Sequence, residues 1–395
     1  MATVLPSGPP KVPLIHNRRF RSIAYQIVLS AVVLFFVYEA ARNAIENLAR
    51  ANIATGFGFW NVTAGFDISQ TLIEYSAQTS TNGRAFLVGL LNTLLVAGLG
   101  IVFATLLGFV IGISRLSRNW LLARLAGAYV EIIRNVPLLL QLYFWYNAVL
   151  KALPETRDNV VLRGGIFLNN RGLFLPKPVF ELGSGFVFES IAVAIALIIA
   201  LNVYAGRRQR QTGRRPRVLA ASIALLIGLP VAVFFATGTP IEIEYPQLGR
   251  FNISGGVEVL PEFVALTFGL VIYTAAFIGE VVRSGITAVA KGQTEAAYAL
   301  GLRPGLTLRL VVVPQAMRVI VPPLTNQYLN LTKNSSLAVA IGYPDLVQVF
   351  AGTVLVNTGQ AVEVVAITMA VYLAISLVTS LILNWYNARI ALVER

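Results

Sequence analysis

The sequence of 395 residues is 56% hydrophobic and only 12% charged, with a mean hydropathy of +0.71. A soluble domain carries about twice that charged fraction, so most of this chain cannot face water. The formal charge of +13 does not imply nucleic-acid binding, because a basic excess in a membrane protein usually sets topology, and the absence of cysteine excludes disulfides and thiolate sites.

Long continuous apolar runs predict an all-α polytopic membrane protein, because a helix needs roughly 20 apolar residues to cross a bilayer. A β-barrel would need alternating strands instead. The polar N-terminal tail, with His16 as a solvated residue, predicts a retained anchor and no cleaved signal. The eight predicted spans are residues 22–41, 86–113, 125–150, 186–205, 218–237, 261–283, 317–341 and 362–386.

The distribution of basic residues predicts the orientation of these spans. If the N-terminus is cytoplasmic, the inside segments hold 20 of the 31 Lys and Arg residues and the outside segments hold 9. This bias predicts that both termini are cytoplasmic. The run "RRQRQTGRRPR", residues 207–217, contributes six of the inside residues. We interpret it as a topology anchor near anionic lipid, in preference to a nucleic-acid site.

Small residues in the second span predict a close helix contact. Gly108 and Gly112 form a G-x-x-x-G pattern, which places two glycines on one helix face. Such a face lets a neighbouring backbone approach, so helix packing explains the pattern fully.

The third span contains a charged pair, Glu131 and Arg134, near its expected cytoplasmic end. The spacing i, i+3 places both side chains on one helix face. Charges within a span usually face a cavity or a partner, so the pair is interpreted as a structural ion pair or as a gate. Pro137 follows at once and predicts a kink. Glu280 and Arg283 repeat the spacing at the end of the sixth span, where a structural or coupling pair is expected and substrate contact is a lesser alternative.

The loop after the sixth span reads "KGQTEAAYALGLRP", residues 291–304. Thr294 is predicted to cap a short helix, and Gly301 to end it in a left-handed conformation. Pro304 suits the first turn of a second helix, which Pro314 is expected to close. Two short helices joined at a glycine, with small alanines on their surface, predict a cytoplasmic docking element.

This loop resembles the EAA loop of ATP-binding cassette (ABC) importer permeases. The motif is Glu295-Ala296-Ala297, three residues, Gly301, nine residues, and then "VVVP" ending at Pro314, with valine in place of the family's isoleucine and leucine. The resemblance implies a coupling helix that sits in a cleft of a separate ATPase. The coupling residues that it implies are Lys291, Gly292, Thr294, Glu295, Ala296, Ala297, Gly301, Pro304 and Pro314.

The flanking stretches "GEVVRSGITAVAKGQ", "PQAMRVIVPPLTNQYLNLTKNSSLAVAIGYPDL" and "YVEIIRNVPLLLQLYFWY" are similar to the polar amino-acid (histidine/glutamine permease-like) branch, above all to general L-amino-acid permeases. The resemblance implies a five-helix type I permease core in the bacterial inner membrane. The implied regions are 1–84 with a cytoplasmic tail, the first span and a periplasmic loop, 85–150 with the first part of the core, 151–257 as an insertion with two extra helices, and 258–395 with the rest of the core.

The same resemblance implies a set of partners. These are a second permease, identical or homologous, two copies of an ABC ATPase, a periplasmic amino-acid-binding protein, an L-amino acid and membrane lipid. The chain has no G-x-x-x-x-G-K-[ST] loop, since "GITAVAKG" has Ala290 and Gly292 at two required positions. We therefore expect no enzymatic activity, metal or cofactor in this chain, with ATP and magnesium held by the partner ATPase.

The seventh span is too polar for lipid exposure at "NQYLNLTKNSS". An amino-acid zwitterion needs a cation for its carboxylate and hydrogen-bond partners for its ammonium, so a lining of the substrate path is favoured over polar contacts between helices. Lys333 is expected near the middle of this span. The predicted pathway residues are Asn326, Asn330, Thr332, Lys333, Asn334 and Ser335.

The alternative function is an autonomous secondary transporter or channel. It would predict discontinuous helices in two repeated halves. No such repeat is evident in the sequence, so the importer permease is the preferred interpretation.

Overall fold

The computed structural model describes residues 18–50, 55–213, 216, 218–249 and 252–390. The tail with His16 and three residues of the basic run, Arg214, Arg215 and Arg217, lie outside these ranges. The helices are α1 (Arg18–Arg50), α2 (Asn82–Ser114), α3 (Trp120–Asn135), α4 (Leu138–Tyr143), α5 (Ser184–Thr212), α6 (Leu219–Ala236), α7 (Pro261–Thr287), α8 (Lys291–Ala299), α9 (Pro304–Thr307), α10 (Val313–Asn334), α11 (Leu355–Thr358) and α12 (Ala361–Ile390).

The helical, multi-pass architecture is confirmed. Within the described ranges, seven helices are long and apolar enough to cross a membrane, and the number rises to eight if a bent pair forms one crossing. The seventh predicted span is longer than expected, because helical structure runs from Pro304 to Ile341. It comprises α9, a π-helical turn at Leu308–Val312, α10 and a 3₁₀ segment at Ser335–Ile341.

The third predicted span, 125–150, is not one straight helix. It begins earlier, at Trp120 after an Asn119 cap, and its two parts, Trp120–Asn135 and Leu138–Leu150, meet at 104°. Pro137 explains the break, because proline forces the preceding residue into the extended conformation that Val136 adopts. The Gln141 side chain donates to the carbonyl oxygens of Ile133 and Val136, both at 2.9 Å, and so satisfies groups that the break leaves free.

Residues 160–259 contain β-structure that the all-helical prediction did not include. The strands are β1 (Val160–Leu162), β2 (Ile166–Asn169), β3 (Gly172–Leu175), β4 (Lys177–Phe180), β5 (Ile241–Glu244), β6 (Gln247–Leu248), β7 (Ile253–Ser254) and β8 (Val257–Val259). They form one antiparallel sheet of order β1-β2-β3-β8 and two strand pairs, β4-β5 and β6-β7. The strands are only two to four residues long, too short for a recognisable alternating pattern.

The chain divides into two compact units, one of Met1–Gly89 with Leu346–Ile375 and one of Leu90–Asp345 with Ser376–Arg395. The first unit contains an aromatic cluster in which the ring centroid of Phe350 lies 5.0 Å from that of Phe86 and 5.8 Å from that of Trp60. Edge contacts of this kind stabilise a packed aromatic cluster beyond the area that they bury.

In the second unit, α7 is the central helix. Thirteen of its 27 residues are buried, among them Leu266, Leu270 and Ile278, and these three side chains are fully enclosed. Leu266 and Leu270 pack with Leu142 of α4, while Ile278 packs with Ile320 of α10. A helix buried on so much of its surface holds the surrounding helices in register, which positions the polar groups described below.

The two glycines of α2 lie against α7, as the G-x-x-x-G pattern predicts. A Cβ atom added to Gly108 would lie 2.5 Å from Ile278, and one added to Gly112 would lie 2.7 Å from the Gly279 carbonyl oxygen. The contact therefore brings the two helix backbones so close that a side chain larger than hydrogen does not fit.

Gly112→Ala should lower the free energy of unfolding by about 1–3 kcal/mol, because the new methyl group meets a backbone atom that cannot rotate away. Gly98→Ala is the matched control in the same helix, since no heavy atom lies within 4 Å of its added Cβ. Thermal unfolding in detergent, followed by circular dichroism, would compare the two. Equal midpoints would contradict the close packing of α2 and α7.

Candidate functional site

The predicted docking loop is a helix that ends at a left-handed glycine. Gly301 has φ +75°, which confirms the predicted terminator. The amide of Gly301 donates to the Tyr298 carbonyl oxygen at 2.9 Å, and that of Leu302 donates to the Ala297 carbonyl oxygen at 3.1 Å. This pair of bonds is the Schellman motif, which satisfies carbonyls that a helix end leaves free. The exit direction of the chain is thus fixed by a backbone conformation that favours glycine.

Two details of the predicted loop are wrong. Thr294 does not cap the first helix, because α8 begins three residues earlier and its preceding residue, Ala290, makes no side-chain cap. Pro314 does not close the second helix and instead lies in the first turn of α10. The π-helical turn at Leu308–Val312 widens the backbone just before Pro314. This widening lets the helical path continue past a residue that has no N–H to donate.

The side chains of α8 divide into one buried position and an exposed surface. Ala297 is 3% exposed and anchors the helix, whereas Glu295 and Ala296 are exposed. Beside them, Leu300 is 82% exposed and Tyr298 is 49% exposed. A small, exposed surface that combines apolar and acidic groups, on a rigidly terminated helix, is suited to contact with another protein.

The polar residues of α10 separate into two groups with different surroundings. Asn326, Asn330 and Lys333 are exposed and share one helix face at i, i+4 and i+7. Lys333 lies in the last turn of α10, and the helical path continues beyond it through the 3₁₀ segment to Ile341. Polar groups on the outer face of a membrane helix are costly in lipid, so this face requires a cavity or a partner chain.

The other pathway residues turn toward their own helix. Thr332 and Ser335 are buried and donate to the carbonyl oxygens of Tyr328 and Thr332, at 2.9 Å and 2.7 Å. Asn334 is half-buried. Thr332 and Ser335 therefore have satisfied hydrogen bonds within the helix, and the groups available to a substrate are the amides and the ammonium of the exposed face.

The sixth-span pair is part of a three-residue charged cluster. Glu280 accepts from Arg283 at 2.6 Å, as the i, i+3 spacing predicts, and it also accepts from Arg115, which follows α2. These side chains are only 17% to 35% exposed. One carboxylate that binds two guanidinium groups at low exposure fixes the end of α2 to α7.

Glu131 and Arg134 do not form the predicted ion pair among the described side chains. The Arg134 guanidinium instead lies over the Phe277 ring, 4.9 Å from its centroid, in a cation–π contact. The pair is also further from the start of the helix than expected, in the last two turns of α3 and directly before the bend, because the helix starts at Trp120. Glu131 and Arg134 line the same cavity as Glu280. The cavity has a volume of about 410 Å³, and its lining residues are Arg115, Val130, Glu131, Arg134, Asn135, Phe277 and Glu280.

Sequence reasoning missed three groups that shape these sites. Arg115 was counted only as a topology charge, because its partner Glu280 is 165 positions away. The Tyr328 hydroxyl lies 3.0 Å from the Thr105 hydroxyl and ties α10 to α2, and Asp345 is fully buried just after the 3₁₀ segment. Only the polarity of these residues beside apolar runs could have pointed to them. Within the described ranges, no three His, Cys, Asp or Glu side chains are close enough to hold a metal ion.

The profile of a protein family described as "binding-protein-dependent transport system inner membrane component" matches residues 192–392. This segment includes α7, the docking loop and α10.

Full-length relatives carry the same kind of description. The chain is 53% identical to a general L-amino acid transport system permease protein of Rhizobium johnstonii, over 96% of this chain and 94% of that protein. It is 50% identical to a putative amino-acid ABC transporter permease of Escherichia coli, over 96% of each chain. It is 41% identical to a glutamate/glutamine/aspartate/asparagine transport system permease of Rhodobacter capsulatus, over 99% of this chain and 100% of that one. The chain therefore belongs to the family of inner membrane components of binding-protein-dependent transport systems, and it is a multi-pass inner membrane protein.

Proposed function

We propose that this chain is the transmembrane permease subunit of an ATP-driven importer that moves L-amino acids across the bacterial inner membrane. The observation that carries this proposal is the 53% identity, over nearly the whole length of both chains, to a permease of a general L-amino acid transport system. The polar face of α10 is consistent with a zwitterionic cargo. An identity of this size supports L-amino acids as the class of substrate, but it does not identify which amino acids are carried.

We propose that the loop of residues 291–314 binds the ATPase and transmits its movement to the membrane helices. The exposed surface of α8, with Glu295, Ala296 and Leu300, would sit in a cleft of a separate ATPase subunit. Closure of two ATPase subunits on ATP would displace α8, and the rigid connections through Gly301 and the helical path to α10 would carry that movement into the membrane. ATP and magnesium would belong to the ATPase, and this chain would do no covalent chemistry.

The substrate path is proposed to follow the exposed face of α10. Lys333 would attract the substrate carboxylate, while Asn326 and Asn330 would accept hydrogen bonds from the substrate ammonium. The second permease, identical or homologous, would cover this face. The cavity with Glu131 and Arg134, below the bend of α3, is proposed as a gate on the same route.

Topology and organisation complete the proposal. Both termini and the docking loop would be cytoplasmic, and the strands of the insertion would face a periplasmic amino-acid-binding protein. The permease core would consist of residues 85–150 and 258–395, with 1–84 and 151–257 as additions to it. The charge bias of 20 to 9 supports this orientation.

The test is purification of the tagged chain in mild detergent from cells that express the whole transport system. We expect an ATPase and a second permease to co-elute, and reconstituted vesicles to accumulate amino acids only with ATP inside and binding protein outside. A single pure chain that accumulates amino acids without ATP would contradict the proposal and favour a secondary transporter. A matched chain with Gly98→Ala, which alters an open position of α2, should behave as wild type.

A further inference from the structure

The strands β4 and β5, which adjoin α5 and α6, form a ribbon with one apolar and one charged face. The two strands pair antiparallel, and directly opposed residues share a face. The residues of the apolar face are Pro178, Phe180, Ile241 and Ile243. Those of the opposite face are Lys177, Val179, Glu242 and Glu244. Phe180 is 54% exposed and Ile243 is 55% exposed, so the described chain leaves most of the apolar face uncovered.

Sharp turns connect this ribbon to the two helices. Gly183, with φ +107°, lies directly before α5, and Gly238 and Thr239, with φ +81° and +57°, follow α6. A β-branched residue rarely adopts a left-handed conformation, and it persists there only where the surrounding structure holds it. The Thr239 amide donates to the Phe234 carbonyl oxygen at 2.9 Å, which is such a restraint. The ribbon therefore has a fixed direction relative to the helix ends.

A ring contact shows which way the apolar face turns. The ring centroid of Phe180 lies 5.3 Å from that of Phe188, in the second turn of α5. Phe180 precedes α5 by four residues, so this contact requires the chain to fold back toward the helix. Phe188, Ile195 and Ile199 share one face of α5, because they recur at i, i+7 and i+11, and all three are exposed. The apolar face of the ribbon thus continues the apolar outer face of a membrane helix.

The charges along α5 give the depth of this contact. Glu189 is the last charged residue before residues 190–206, a stretch of 17 residues without any charge. Such a stretch covers about 25 Å at 1.5 Å per residue, most of the hydrocarbon core of a bilayer. Phe188 and the ribbon therefore lie at the boundary between acyl chains and headgroups. Leu182, at the turn into α5, is fully exposed at the same boundary.

The chemistry of the apolar face favours lipid over a second protein. Its four side chains include no charge and no hydrogen-bonding group, whereas protein interfaces combine an apolar centre with hydrogen bonds and a polar rim. The three charges of the ribbon all lie on the opposite face. An apolar face beside lipid and a charged face turned away from it are the arrangement of a segment that lies in the membrane surface.

We propose that the β4–β5 ribbon lies on the membrane surface, with Phe180 and Ile243 among the acyl chains and Glu242 in water. The membrane is then the partner of the apolar face, and the ribbon holds the adjoining ends of α5 and α6 at one depth. This inference rests on the location of the chain in a membrane and not on the proposed transport function.

The test is spin labelling of the full chain in dioleoyl phosphatidylcholine vesicles. The sequence has no cysteine, so Ile243→Cys and Glu242→Cys each carry one label, at exposed neighbours on opposite faces of β5. Electron paramagnetic resonance measures collisions of the label with oxygen, which concentrates in acyl chains, and with a water-soluble nickel chelate. We expect the oxygen-to-nickel ratio to be roughly threefold or more higher at residue 243 than at residue 242. Ile199→Cys gives the lipid reference.

Equal ratios at residues 242 and 243, or a higher ratio at 242, would overturn the proposal. Protection of residue 243 from both reagents would show that protein covers the apolar face, and it would overturn the proposal too. In the Ile243→Cys chain, Phe180→Asp should lower the ratio toward that of residue 242, because it places a charge on the apolar face. Val179→Asp, on the charged face, is the matched control and should leave the ratio unchanged. An equal effect of the two aspartates would contradict the assignment of the faces.

Discussion

A chain that carries Gly301→Val should insert into the membrane at normal abundance and lose ATP-driven uptake by roughly 5- to 30-fold. Gly301 has φ +75°, and a residue with a Cβ atom pays about 1–2 kcal/mol to adopt that conformation. Valine, which is β-branched, lies at the unfavourable end of this range. Since every 1.4 kcal/mol is a factor of ten, this strain is enough to depopulate the docked form of α8.

The cause of this loss is the local backbone conformation and not a clash with another part of the described chain. A Cβ atom added at Gly301 meets no heavy atom within 4 Å, so the folded chain itself has space for a larger side chain. The two bonds of the Schellman motif, from Gly301 to Tyr298 and from Leu302 to Ala297, would open instead. The chain would then leave α8 in another direction, and the exposed Leu300 would no longer be presented beside Glu295.

Gly301→Asn is the matched control, because asparagine is nearly the size of valine and tolerates the left-handed conformation. Uptake should stay close to wild type with asparagine and fall with valine, while ATP hydrolysis by the assembled complex continues in both. Uptake by reconstituted vesicles, measured beside phosphate release, checks this. Full uptake in Gly301→Val, or an equal loss in both variants, would show that the backbone conformation of Gly301 does not carry the coupling.

The sequence predicted the loop of residues 291–314 better than the charged groups of the spans. The structure of this loop depends mostly on the conformational limits of single residues within it. The left-handed position of Gly301 and the helix start at Pro304 follow from the conformational limits of those two residues. The start of α8 could not be placed, since Thr294 is a good capping residue that the structure does not use. The role of Pro314 depended on a π-helical turn, which has no reliable sequence signature.

The charged sites show why spacing alone was insufficient. The same i, i+3 spacing predicted an ion pair at Glu280 and Arg283, where it occurs, and at Glu131 and Arg134, where it does not. The difference comes from residues distant in the chain, since Phe277 faces the Arg134 guanidinium. The membrane spans themselves were readable because a bilayer demands about 20 apolar residues in a row. The strands of the insertion gave no comparable signal.

Lys333→Met should lower amino-acid uptake at low external amino-acid concentration by about 30-fold or more while the complex still assembles and hydrolyses ATP. Lys333 is the cation on the exposed polar face of α10, beside Asn330 and Asn326. Removing one partner of a desolvated, hydrogen-bonded charge pair costs about 2–5 kcal/mol, and the lower value alone corresponds to about 30-fold. Methionine keeps the length and the apolar stem of lysine, so packing along α10 should change little.

Two controls separate recognition of the substrate carboxylate from general effects of charge. Lys333→Arg keeps the positive charge and should retain measurable uptake, although its planar guanidinium does not reproduce the ammonium geometry. Lys177→Met removes an exposed lysine from β4, outside the spans, and should leave uptake unchanged. Uptake by vesicles, with the external amino-acid concentration varied at saturating ATP, distinguishes a weakened substrate site from a slowed transport cycle.

A weakened site predicts that the concentration for half-maximal uptake rises in Lys333→Met. A structural role for Lys333 predicts instead a lower maximal rate at an unchanged half-maximal concentration, together with a lower unfolding temperature. The first pattern is expected because Lys333 is exposed and makes no ion pair with any described carboxylate. Its removal therefore breaks no salt bridge among the described residues, and what is lost is attraction for a carboxylate that arrives from outside. Uptake kinetics identical to wild type would remove Lys333 from the substrate path and leave the cavity at Glu131 and Arg134 as the remaining candidate.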